Sequence, residues 1–115
     1  RLDTDIEAGN RGGYDSLAVL TGVTNPHELM FAPEHLRPTY IAKDLTGLNE
    51  PAPEVVHEAG AWSCRDVHAR VDGDRLYVTD ITSVDGLRAA CAAMWDAADR
   101  GHSVDGMIVP EFRIA

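Results

Sequence analysis

Asp3 and Asp5, one residue apart and followed by Glu7, make the densest acidic cluster at the start of the chain. Carboxylate oxygens so closely spaced suit a hard divalent cation. Acids at a helix start also act as caps and complement the positive end of the dipole, so the spacing alone leaves metal binding and helix capping both open.

The other chemistry-bearing residues point to bland roles. Cys64 and Cys91 stand 27 positions apart with no CxxC or Cys/His ladder, which indicates neither a disulfide framework nor a zinc site and fits a reducing, cytoplasmic setting. Both read as small packed thiols. The five histidines (27, 35, 57, 68 and 102) show no His-x-x-x-His spacing and read as surface residues. Asp72 and Asp74 flank Gly73 without the twelve-residue ligand pattern of a calcium loop, so a hairpin turn is the better reading. Neither Ser16 nor Ser63 lies in a G-x-S-x-G elbow. Trp62 and Trp95 could line a pocket, with core packing as the default.

The elements that must position these residues follow from periodicity. Thr4 or Asp5 can cap a short helix that ends at Gly12-Gly13, and Ser16–Thr21 then reads as a strand covered on both faces, the mark of a parallel sheet. Asn25 and Pro26 open a second short helix with Leu29, Met30 and Phe31 on its apolar side, closed by Pro33 and Pro38. Thr39–Ala42 reads as a strand and Asp44–Leu48 as a closing helical turn. Residues 49–53 have the Pro-rich make-up of a linker.

Downstream, Trp62–Ile81 reads as a β-hairpin turning at Asp72-Gly73. Residues 83–100 form the clearest helix, with Ser83 as cap, Leu87, Cys91, Met94, Trp95 and Ala98 at helical spacing, and Gly101 as stop. Met107–Ile114 reads as a strand that Pro110 pushes toward a sheet edge. The expected fold is therefore α/β: residues 1–48 as helix-strand-helix-strand, 49–53 as linker, and 54–115 as a small β-β-α-β module.

Composition bounds the partners. The 115 residues carry 10 Lys plus Arg against 19 Asp plus Glu, a net charge of −9, so no basic footprint exists for a nucleic-acid backbone or an anionic membrane. No apolar run is long enough to cross a bilayer. The chain opens on Arg1, Asp3, Asp5 and Glu7 rather than a charged-then-apolar leader, and its start reads like a domain entered partway.

The segment RLDTDIEAGNRGGYDSLAVLTGV, residues 1–23, resembles the fourth motif of the haloacid dehalogenase superfamily, in particular its NagD-like sugar- and glycerol-phosphate phosphatases. The pattern is GD-x-x-x-T-D-I, a short helix with a glycine turn, then an apolar strand ending L-[ST]-G-V. Thr4-Asp5-Ile6, Gly13, Val19-Leu20 and Thr21-Gly22-Val23 match at the family's spacing, and Arg37–Ile41 with Asp44-Leu45 resembles its closing strand and last turn.

The resemblance implies a Rossmann-like core, ending near residue 48, of which this chain is the C-terminal part. It also implies a Mg2+-dependent aspartyl-phosphate mechanism on small phosphate esters, glycerol or sugar phosphate among them. Asp5 falls at the motif's second acidic position, either as a metal ligand or one step out, where it accepts a hydrogen bond from a metal-bound water; Thr4 is adjacent. The GD pair that supplies the main metal ligand would lie immediately before Arg1. No D-x-D-x-[TV] nucleophile motif occurs in these residues, so they hold no catalytic residue and cannot complete the reaction alone. The implied partner is the remainder of such a core.

An acetyltransferase-like α/β module accompanies actinobacterial members of this group, and nine Arg against one Lys with abundant Ala fits such a source. Residues 49–115 show no glycine-rich pyrophosphate loop, so acetyl-CoA chemistry is not expected of them. The competing reading is a non-catalytic docking module that binds the core or a second copy, as a homodimer, through Leu87, Met94 and Trp95. A free-standing domain with an unknown ligand is the third.

Overall fold

The computed structural model describes residues 17–19, 25–42 and 53–114. The chain divides into two units, Arg1–Ala52 and Pro53–Ala115. The expected helix before Gly12-Gly13, the turn at Asp44–Leu48 and most of the linker lie outside the described residues.

In the first unit, β1 (Leu17–Val19) pairs in parallel with β2 (Tyr40–Ala42), with Leu17 opposite Tyr40 and Val19 opposite Ala42. Parallel neighbours need a crossover. This one contains α1 (Pro26–Met30), which starts as its sequence predicts: Asn25 accepts the Glu28 N–H at 2.8 Å through its side chain, and Pro26 occupies the first turn. Leu29 and Met30 are buried, as are Ile41 and Ala42 on β2. After Pro33 the chain makes one 3-10 turn over Glu34–Leu36 before Pro38, where Pro leaves no N–H to continue it.

The second unit is an antiparallel sheet in sequence order: β3 (Val55–Glu58), β4 (Ala61–Cys64), β5 (Val67–Asp72) and β6 (Arg75–Val78). A single helix, α2 (Val84–Asp99), packs on it and contacts all four strands. The mixed α/β class holds, but the element order differs from β-β-α-β. One strand, β3, precedes the expected hairpin; the first residues of that hairpin, Trp62–Cys64, belong to a separate strand, β4, and the last strand is reduced to one parallel bridge between Arg75 and Ile108.

Backbone chemistry explains the reduced strand. Leu76 N–H donates to Ile108 at 2.9 Å, and Ile108 N–H to Asp74 at 2.8 Å. Two residues on, Pro110 has no N–H with which to extend the ladder. The segment still runs beside β6, and Arg113 N–H reaches Ile81 at 2.8 Å.

All three turns have two residues. The β5–β6 loop is Gly73-Asp74 rather than Asp72-Gly73, because Asp72 still pairs with Arg75, and only Gly73 has positive φ (64°). The β3–β4 loop, Ala59-Gly60, has positive φ at both residues (50° and 78°), and Ala59 takes that conformation without glycine's freedom.

The core follows from the pattern on α2. Ala89, Ala90, Ala93 and Ala97 let the helix lie close to the sheet, while Leu87, Cys91 and Met94 on the helix and Cys64, Ala69 and Leu76 on the strands it packs against are all buried. Burying Leu87 or Met94 is worth about 1.5–3 kcal/mol each.

Candidate functional site

Thr4 and Asp5, the residues expected beside a divalent cation, lie outside the described residues. Among the described residues, no three or more His, Cys, Asp or Glu side chains come together as a metal site. No described helix is long and apolar enough to cross a membrane. Asp72 and Asp74 belong to a hairpin and its loop, and all five histidines are exposed.

Both thiols are free and fully buried. Burial raises the Cys64 thiol to about 11, helped by the nearby Asp85 carboxylate, whose Oδ1 lies 3.4 Å from Sγ. Burial alone raises Cys91 further. Neither ionises at neutral pH, so neither is poised as a nucleophile.

At its N-terminus, α2 is held by its own side chains. Ser83 Oγ accepts the Gly86 N–H at 3.1 Å. Asp80 Oδ1 accepts the Thr82 N–H at 2.8 Å and its hydroxyl at 2.6 Å, and those bonds hold the Asp80 carboxyl below its ordinary range. Asp85 pairs with Arg88 at 2.7 Å and more loosely with the exposed Arg65 at 3.5 Å. The donors and acceptors here answer one another.

The opposite end of α2 is more open. Gly101, with φ 84°, follows the Arg100 cap; its N–H donates to Ala98 at 3.1 Å, and the His102 N–H donates to Ala97 at 3.0 Å. This pair of bonds is a Schellman closure, which fixes the exit of the chain. It brings His102 to the β5–β6 turn, where Nε2 lies 2.9 Å from the Gly73 carbonyl. Because a carbonyl only accepts, Nε2 carries the proton and Nδ1 remains the ring's other polar atom.

Between this helix end and the sheet lies an open cavity of about 520 Å³. Ala93, Ala97 and Val71 contribute small apolar walls, and Trp62 lines it while stacking on His57 with centroids 4.6 Å apart and planes at 13°. Asp96 grips Arg100 at the rim through Nε, 3.1 Å away. Trp62 is thus at a pocket, as one reading of the sequence allowed, whereas Trp95 does not line this cavity. His57 and His102 were missed as lining residues; the signal for His102 was Gly101, whose place after the helix sets the chain's direction.

The expected docking face is not available as such. Leu87 and Met94 are 0% and 1% exposed, spent on the module's own sheet, and of that trio only Trp95 is partly exposed.

Comparison with known proteins supports the resemblance drawn from the motif. Residues 1–48 match the family model of HAD-hydrolase-like proteins, and residues 64–107 match that of a GCN5-related N-acetyltransferase-like domain. The chain is 39% identical over 106 residues to the D-glycerol 3-phosphate phosphatase of Mycobacterium tuberculosis, covering 84% of this chain and 29% of that protein. Two solved structures of glycerol phosphate phosphatase Rv1692 from the same organism are similar. The complex with magnesium has a TM-score of 0.65 at 35% identity, covering 84% of this chain and 29% of that one. The complex with calcium gives 0.62 at 33%, covering 85% and 30%. The chain therefore spans less than a third of the length of the relatives it matches.

Proposed function

We propose that these residues form part of a Mg2+-dependent phosphatase of the haloacid dehalogenase type that acts on small phosphate esters, with glycerol phosphate the first candidate. The observation that carries the reading is the match of residues 1–48 to the HAD-hydrolase-like model. The 39% identity that continues across the second unit supports it, as do the magnesium and calcium complexes of the similar enzyme.

Within this reading Asp5 acts beside the cation, as a ligand or by holding a water bound to it, with Thr4 adjacent. The described residues offer no donor set of their own for Mg2+, so no chemical step is assigned to them. The nucleophile, the general acid/base and the groups that hold the phosphoryl oxygens come from the remainder of the core, the partner this chain requires. The two units act as an end of that core and an appended module, joined near residues 49–53, in a cytoplasmic enzyme.

Phosphate release from glycerol 3-phosphate with Mg2+ tests this, comparing the 115 residues alone with a longer polypeptide in which they continue from a D-x-D-x-[TV] segment. The short chain is expected to be inactive and the longer one active, with Asp5→Asn lowering its rate by about 10–100-fold. Hydrolysis by the short chain, or a longer polypeptide inert toward small phosphate esters, would overturn the proposal.

A further inference from the structure

We propose that the cavity at the C-terminal end of α2 is a small-molecule site, separate from phosphate-ester hydrolysis, for a flat heteroaromatic ring that carries a phosphate or carboxylate. It is open on one side, and its volume of about 520 Å³ is sufficient for the body of such a molecule. Every lining residue belongs to the second unit, so the site is complete without the first.

Three features give the ligand its chemistry. The first is a slot. Ala93 and Ala97 present only methyl groups, and the Trp62 ring, backed by His57, adds a flat aromatic surface suited to a planar partner. The second is a positioned cation. Asp96 holds Arg100 through Nε, at 3.2 Å from Oδ1 and 3.1 Å from Oδ2, and the Arg100 side chain has no other partner among the described residues. Its two Nη groups are left as a fork, the geometry that takes two oxygens of a phosphate or carboxylate at once.

The third feature is a pair of imidazoles. His102 is pinned by its Nε2 bond to Gly73, which leaves Nδ1 for a ligand. The His57 ring stacks on Trp62, and its nitrogens make no hydrogen bond among the described residues. A half-open, largely polar pocket with one aromatic wall and a guanidinium at its rim matches a molecule with a flat body and an anionic end. A simple sugar phosphate supplies only the second part.

Adenosine monophosphate is the probe, titrated into the 15N-labelled 115-residue chain, with adenosine and ribose 5-phosphate as its two halves. Saturable amide shifts are expected at Gly60, Gly73, Gly101 and His102, with a Kd of about 1 mM or tighter for the whole molecule and weaker binding of each half. Arg100→Ala, at an exposed position, should weaken it about tenfold while leaving the spectrum folded; Trp62→Leu should weaken adenosine as well. The proposal is overturned if no saturable shift appears by about 10 mM, if Arg100→Ala binds unchanged, or if ribose 5-phosphate binds as well as the nucleotide. Phenyl phosphate, which keeps a flat ring and an anion but has no ring nitrogen, should bind more weakly than the nucleotide, and equal binding would overturn the requirement for a heteroaromatic ring.

Discussion

Gly86 sits in the first turn of α2, where replacing glycine by alanine ordinarily stabilises a helix by up to about 1 kcal/mol. Here the sign should reverse. A Cβ built on Gly86 would collide with the backbone carbonyl oxygen of Asp80, deep inside van der Waals contact. That oxygen cannot rotate aside as a side chain could. The Asp80 carboxylate is tied to Thr82 by two hydrogen bonds, and Ser83 Oγ holds the Gly86 N–H from the same loop. Either the loop or the first turn must move, and core overpacking of this kind costs about 1–3 kcal/mol. Set against the propensity gain, Gly86→Ala should be destabilising by about 1–2 kcal/mol, or a fall of roughly 5–10 °C in Tm for a unit of this size. Far-ultraviolet circular dichroism melts, with urea titrations to check that the m-value is unchanged, read this directly. Ser83→Ala calibrates the experiment, since it removes the cap alone and should cost about 1 kcal/mol. An alanine variant as stable as the parent, or more so, would refute the close approach of the β6–α2 loop to the helix.

Ala59 holds φ 50° in the β3–β4 turn, beside Gly60 at 78°, a pairing that Asn-Gly satisfies better than Ala-Gly. Ala59→Asn should therefore raise stability by about 0.5–1 kcal/mol in the same melts, and an unchanged or lowered Tm counts against the turn. Because both thiols are buried with raised pKa values, the folded chain should resist thiol reagents at pH 8 and release two reactive thiols on unfolding; rapid native labelling would contradict that burial. Folded cysteines that keep their protons more tightly than unfolded ones leave stability intact below about pH 9. It then falls as pH rises toward the value of about 11 at Cys64 and beyond. Cys91→Ala should flatten that alkaline decline in urea midpoints, and an identical slope would refute the assignment.

What the sequence made legible follows the strength of its local signals. Asn25-Pro26 and Ser83 are caps whose side-chain oxygens have an obvious N–H to accept, and both helices begin there. Gly101 marked the end of α2 for the same kind of reason. Strand β3 escaped notice, and β4 was merged into the hairpin expected from Trp62, because their outward positions break the expected alternation: Val56 is exposed at an edge while Trp62 and Ser63 are only half buried. Val55–Glu58 is too short and too polar for periodicity to identify, and only its pairing with β4 makes it a strand. At the other end, Met107–Ile114 has strand composition, but Pro110 limits its hydrogen bonding to a single bridge. Composition describes side chains, whereas the ladder depends on N–H groups that proline lacks.

The site at the end of α2 was hidden for a different reason. No motif links His57, Trp62, Arg100 and His102, because their meeting is produced by two backbone rules acting far apart in sequence. A glycine with positive φ closes the helix and turns the chain back, and a second one closes the β5–β6 hairpin and presents its carbonyl. His102 and Gly73, 29 residues apart, meet where those two turns converge. The helix residues that leave space beside them, Ala93 and Ala97, are the same alanines that let α2 lie close to the sheet. Larger side chains at those two positions would fill the slot but also push the helix away from Trp62 and Val71. Close packing along α2 and the cavity at its end are thus one consequence of one alanine-rich face.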